Sequence, residues 1–204
     1  MRLFVLGGTG RTGTEVLDIA LAHGHAVTAF VRSPEKISAR TGLAVVAGDP
    51  LDTNAVRRAL PGHDAVVSVL GAPPREALRP GTLMTDFAAS TVGAMTAAGI
   101  DRLAILSAAV LFGGTDLATR FFSWLLRHHA RDLTTMEAIV TASDLAWTIA
   151  RPPRLVRMRE ERYRSAEGAL PPGKRIVSFR AVAAYLVDAV ERKAHVREIR
   201  GLVR

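Results

Sequence analysis

The sequence predicts an α/β fold: a Rossmann-like, doubly wound parallel sheet of strand order 3-2-1-4-5-6 with a small C-terminal elaboration. Three observations point there. Short apolar runs alternate with longer amphipathic segments up to about residue 150. A glycine cluster, Gly7 to Gly13, lies between the first run and the first amphipathic segment. Past Pro152-Pro153 the rhythm breaks and arginine accumulates.

The elements follow in order. Leu3 to Leu6 reads as a buried strand, Thr14 to His23 as a helix and Ala26 to Val31 as a second strand, which completes one βαβ unit. Leu43 to Ala47, Ala65 to Leu70, Leu103 to Ser107 and Ala146 to Ala150 continue the strands. Helices are expected near Thr53 to Leu60, Leu83 to Ala98 and Asp132 to Ala142. Strands separated by helices imply a parallel sheet covered on both faces, and right-handed crossovers favour the doubly wound order. Residues 154–177 show no clean period and contain Pro171-Pro172-Gly173, so they are expected to form a substrate-side loop or lid. Ser178 is placed to cap a helix over Ala181 to Val190, and His195 to Arg204 is left as a short strand or tail. With no internal repeat or linker, 204 residues are read as one domain.

Composition narrows the function. At 49% hydrophobic and 23% charged residues the chain can bury a full core. It has no cysteine, which excludes disulfides, iron–sulfur clusters, thiolate zinc sites and cysteine nucleophiles. The apolar N-terminal stretch is too short for a signal peptide or membrane span, so a cytoplasmic protein is expected. The net charge of +8 is unevenly placed: residues 1–150 carry 13 basic and 13 acidic residues, whereas residues 151–204 carry 14 basic against 6 acidic. Neither aromatic interleaving nor a known module accompanies that charge, so a nucleic-acid partner is not expected. A small molecule, able to carry an anionic group, is the expected partner, and the chain is expected as monomer or homodimer.

Gly7-Gly8-Thr9-Gly10-Arg11-Thr12-Gly13 reads as GxxGxxG from Gly7 and as GxGxxG from Gly8. Glycine is wanted here because the strand must turn sharply, a pyrophosphate must approach the backbone, and the helix must pack closely on the strand. The helix N-terminus then offers N–H donors and positive potential. Arg32 lies nineteen residues beyond Gly13, where an NAD-specific fold carries an acid that binds the ribose. A guanidinium suits a 2′-phosphate that a carboxylate would repel, so NADP(H) is preferred over NAD(H). Asp49 after the third strand is an acceptor placed for the adenine amino group, and Leu70-Gly71 ends the fourth strand.

These motifs, with Leu106-Ser107-Ala108 and Arg151-Pro152-Pro153 in the same order, resemble the atypical short-chain dehydrogenase/reductases, and within them the NAD(P)H-binding group of NmrA-like proteins and biliverdin reductase B/flavin reductase. The resemblance implies that Thr9, Gly10, Arg11 and Thr12 hold the pyrophosphate, Arg32 the 2′-phosphate, Asp49 the adenine, and Leu70-Gly71 the adenosine-side ribose and neighbouring phosphate. It implies that Ser107 and Pro152 flank the nicotinamide. Biliverdin reductase B-like enzymes have histidine after the Pro-Pro pair; Arg154 stands here, a candidate substrate contact instead of a proton donor.

Carbonyl reduction by ordinary members of the superfamily uses a Tyr-x-x-x-Lys pair to protonate an alkoxide. Neither Tyr163 nor Tyr185 has lysine four residues on. An acceptor that spreads the arriving charge, such as a flavin, quinone or linear tetrapyrrole, can take its proton from water and needs mainly positioning. Ser107, at the end of the fifth strand, is the candidate positioning hydroxyl. The histidines at 23, 25, 63, 128, 129 and 195 form no HExxH or carboxylate constellation in sequence, so no metal is expected, and His128-His129 reads as helix surface. Asp132 and Glu137, five apart, do not read as an acid/base pair. The expected function is an NADPH-dependent reductase that transfers hydride to a conjugated acceptor; the alternative is an NmrA-like dinucleotide sensor without turnover.

Overall fold

The computed structural model describes residues 1–113 and 124–204. Its main sheet has eight strands in the order β3-β2-β1-β4-β5-β6-β10-β8. The first six are β1 Arg2–Leu6, β2 Ala26–Val31, β3 Leu43–Ala47, β4 Ala65–Ser68, β5 Arg102–Leu106 and β6 Ala146–Arg151. Adjacent members of this set pair parallel, in the 3-2-1-4-5-6 order that the sequence predicts.

Side chains alternate across β1 and so build two cores. Leu3 and Val5 face the layer formed by α1 (Arg11–Ala22) and the C-terminal helix Phe179–Glu191, here α6. Phe4 and Leu6 face the layer that contains α2 (Thr53–Ala59), α4 (Leu83–Ala98) and α5 (Arg127–Thr141). A short helix, α3, spans Pro74–Ala77. The first helix begins at Arg11, earlier than the apolar period suggests, because Gly10 caps it directly after the glycine turn.

Capping is local at two helices and remote at a third. Asp52 accepts the N–H groups of Asn54 and Ala55 at the start of α2. Ser178 accepts the Ala181 N–H at 2.8 Å, as expected from sequence. The start of α4 is capped from another helix: Asp132 of α5 accepts the N–H groups of Met84 and Thr85, each at 2.9 Å, and the Thr85 hydroxyl at 2.7 Å.

The region after Pro153 departs most from expectation. Residues 154–177 hold strand structure: β7 (Arg154–Val156) pairs parallel with β9 (Ile176–Ser178) in a separate ribbon. Between them β8 (Arg164–Glu167) joins the main sheet, antiparallel to β10 (Glu198–Val203), which itself runs parallel to β6. The final residues are therefore an inner strand and not a tail. These strands are three to six residues long and lack a clear alternation, so a reading based on period misses them. Among the described residues, no helix is long and apolar enough to cross a membrane.

Candidate functional site

In a parallel sheet, loops that leave strand ends gather on one edge, and the crevice opens where the strand order reverses. Here that reversal lies at β1, between β2 and β4. Gly7 follows β1, Arg32 follows β2, Asp49 lies just past β3, Leu70-Gly71 just past β4, Ser107 follows β5 and Pro152 follows β6. The structure thus brings every sequence-predicted cofactor position, and Ser107, to one edge.

The glycine turn is shaped by contact with backbone. Gly7 has φ +87°, and a Cβ there would lie 2.9 Å from the Val69 carbonyl. A Cβ on Gly13 would stand 2.0 Å from the Gly7 oxygen, so the helix can approach the strand only with glycine at that point. Gly10 donates its N–H to the Gly7 carbonyl at 3.0 Å, and Val69 donates to Leu6 at 2.9 Å, tying the turn to the end of β4. Gly10 supplies no side-chain cap to α1, and the first turn carries no acid, which leaves its N–H groups available to an anion. Thr12 is buried in the turn, whereas Thr9 and Arg11 are exposed at its rim. These features fit a dinucleotide pyrophosphate. Beyond Gly71 the space that a side chain would fill is open.

Arg32 is exposed and has no ion-pair partner among the described residues, so its guanidinium is free for a phosphate. Asp49 already accepts the Leu51 N–H at 3.0 Å through Oδ1 and orders the turn after β3; its second oxygen has no described protein donor. Gly48 has a packing reason: a Cβ there would strike the Phe30 ring at 2.1 Å.

The two acids of α5 have separate partners. Asp132 is committed to the start of α4. Glu137 is buried and receives the Ser107 hydroxyl at 2.5 Å, together with a bidentate pair from Arg151, Nε at 2.9 Å and Nη2 at 2.5 Å. Arg151 lies with its guanidinium 4.7 Å from the centre of the Phe112 ring. Sequence spacing marks Ser107 and separates Glu137 from Asp132, but it does not show Glu137 and Arg151 meeting Ser107, because they come from α5 and β6 and share no local spacing. The available signal was a glutamate on the apolar-periodic face of a helix.

Pro152 is buried, and its carbonyl accepts the Ala109 N–H at 2.9 Å, joining the ends of β5 and β6. Arg154 is exposed in β7. Beside the glycine turn a cleft of about 420 Å³ is lined by Arg11, Thr14, Glu15, Arg157, Met158, Arg159 and Phe179, with the Arg11 guanidinium 4.7 Å from the Phe179 ring centre. The cationic lining therefore comes from Arg11, Arg157 and Arg159, with Arg154 outside it. A smaller cleft of about 180 Å³ lies between Ala72–Leu83 and α5, and His128, His129 and Asp132 are among the residues that line it. These two histidines are half-buried and line a recess, not a plain helix surface. Burial lowers the His129 pKa, and Asp132 partly opposes that shift.

Neither tyrosine stands at the site. Tyr185 is buried on α6, stacked on His195 and edge-on to Tyr163, and burial raises its pKa. Tyr163 is bonded to Asp188 of the same layer at 3.3 Å. On the opposite edge of the sheet, His23 at the end of α1 and His25 before β2 meet Glu191 at the end of α6, a carboxylate partner that sequence distance conceals.

The fold, the glycine turn and the strand-end positions define a Rossmann-type dinucleotide-binding protein. The pattern of the NAD(P)H-binding family matches residues 7–193. The chain belongs to that family. Solved structures agree on the fold. A Rossmann-fold NAD(P)-binding family protein from Shigella flexneri is 24% identical, with 100% of this chain and 93% of that chain covered and a TM-score of 0.80. A short-chain dehydrogenase/reductase from Veillonella parvula in complex with NADP is 19% identical, with 100% and 94% covered and a TM-score of 0.82. A candidate NADH-flavin reductase from Streptococcus pneumoniae is 22% identical, with 100% and 99% covered and a TM-score of 0.78.

Proposed function

We propose that this protein is an NADPH-dependent reductase whose acceptor is a conjugated small molecule, such as a flavin, quinone or linear tetrapyrrole. The observation that carries the reading is the Ser107–Glu137–Arg151 constellation at the edge where the glycine turn lies. NADPH, when bound, supplies the hydride; Gly7 to Gly13 hold its pyrophosphate, Arg32 its 2′-phosphate, and Ser107 and Pro152 lie on the nicotinamide side.

The chain's own groups define what the site can do. The Ser107 proton is committed to Glu137, whose charge Arg151 compensates, so this hydroxyl offers lone pairs and no spare proton. The remote tyrosines, Tyr185 buried and Tyr163 half-buried, do not supply a proton there either. An acceptor that needs a strong acid at the moment of reduction is poorly served. One that delocalises the charge and draws its proton from water is well served, with Ser107 accepting a hydrogen bond from it and fixing its orientation. The cleft beside Arg11, Arg157 and Arg159 suits a phosphate or carboxylate on that acceptor.

The test is NADPH oxidation with a panel of flavins, quinones and biliverdin, with NADPH and NADH binding measured in parallel. Turnover with at least one of these acceptors is expected. Tight NADPH binding without oxidation by any of them would instead make the protein a dinucleotide sensor, and failure to bind either nucleotide would discard the reading.

A further inference from the structure

We infer that His23, His25 and Glu191 form a second site, which takes a divalent transition-metal ion, zinc foremost. Their candidate ligand atoms all lie within 4.8 Å of one another. His23 Nδ1 is 3.0 Å from Glu191 Oε1, and His25 Nε2 meets the same oxygen. Two imidazole nitrogens thus converge on one carboxylate oxygen. An ion seated among them replaces the protons that now hold the cluster together.

The frame is rigid enough to matter. The three residues come from the end of α1, the start of β2 and the end of α6, and α1 and α6 pack against each other over one sheet face. His25 and Glu191 are partly buried, while His23 is 42% exposed at its side chain, which leaves an entry path and room for a water ligand. Two imidazoles and one carboxylate form a borderline donor set that favours zinc, nickel or copper over magnesium or calcium. Metal at His25 Nε2 leaves the ring proton on Nδ1, which faces the Met1 nitrogen at 3.3 Å; that long contact is the one the ion must reorganise. The cluster lies at the edge of the sheet where β2 begins, remote from the strand ends that carry the cofactor residues, so this inference is independent of the proposed reductase activity.

The experiment uses the untagged full chain, stripped with chelator and titrated calorimetrically with zinc chloride, with magnesium chloride as comparison. One zinc per chain is expected, and His23→Ala and Glu191→Gln should each weaken binding by about tenfold or more. Zinc should raise the melting temperature of the wild type and leave the His23→Ala/Glu191→Gln double variant unmoved, because an ion that binds only the folded state stabilises it. NADPH affinity should be the same in all of these proteins, which also reports that the variants fold. No saturable zinc binding, equal binding of magnesium, or undiminished zinc binding by the folded variants would overturn the inference.

Discussion

The body of the molecule, β1 to β6, and the segment after Pro152 solve the same problem differently. The body carries balanced charge and is held by two apolar cores. The later segment carries 13 basic residues against 6 acidic and anchors several of them: Arg180 on Glu15 and Glu161, Arg200 on Glu198, and Arg204 on Glu160. Arg154, Arg157, Arg159 and Arg162 have no ion-pair partner among the described residues, and two of these line the cleft beside α1. A bulk charge count therefore misleads; the useful quantity is the arginine left over once structural pairs are removed.

The largest effect is expected in the body. Gly13→Ala places a methyl group 2.0 Å from the Gly7 oxygen, where backbone must move, so nucleotide binding should fall about a hundredfold or more, roughly 3 kcal/mol, in a direct titration with NADPH. Next comes the ion pair that ties α5 to the end of β6. Glu137→Ala leaves the half-buried Arg151 uncompensated, at a cost of about 3 kcal/mol in denaturant unfolding, and it frees Ser107, so turnover should fall as well. An unchanged unfolding midpoint would show that Arg151 had found water.

Smaller effects sharpen the contrast. Arg32→Asp should weaken NADPH by about tenfold, near 1.4 kcal/mol, and leave NADH almost unaffected; equal losses would sink the NADP preference. Charge reversal at Arg157 or Arg159 should raise KM for an anionic acceptor several-fold and spare a neutral quinone, whereas reversal at Arg154, outside the cleft, should do little. The smallest is a pH effect. Burial lowers the pKa of both His129 and His195, so in the window just below their ordinary value of 6.5 the unfolded chain binds more protons than the folded one. Stability should fall as pH drops through that window, and His129→Gln should flatten the decline in denaturant midpoints measured between pH 7.5 and 5.5.

Much of this was legible in the sequence for a physical reason. In the body each strand centres on an apolar run broken at most by one threonine or serine, and the strand-end residues lie at or just past the end of each run, so Gly7, Arg32, Leu70 and Ser107 are placed by counting. The partners of Ser107 were not legible, since Glu137 and Arg151 meet only through tertiary packing. The same holds for Glu191, which lies far along the chain from His23 and His25. In the later segment the strands are too short for periodicity to show, and β7 with β9 forms a ribbon apart from the main sheet.

The place of β10 between β6 and β8 also sets an order of events. β8 reaches the main sheet only through β10, yet it is synthesised first, and the chain must pass through β9 and α6 before its neighbour exists. A nascent chain can complete the six-strand body while β8 stays an unpaired edge, a state in which exposed backbone is open to mispairing. Shielding β8 during that interval then falls to its own sequence, and its charged ends, Arg164 and Glu167, discourage pairing with foreign strands while it waits.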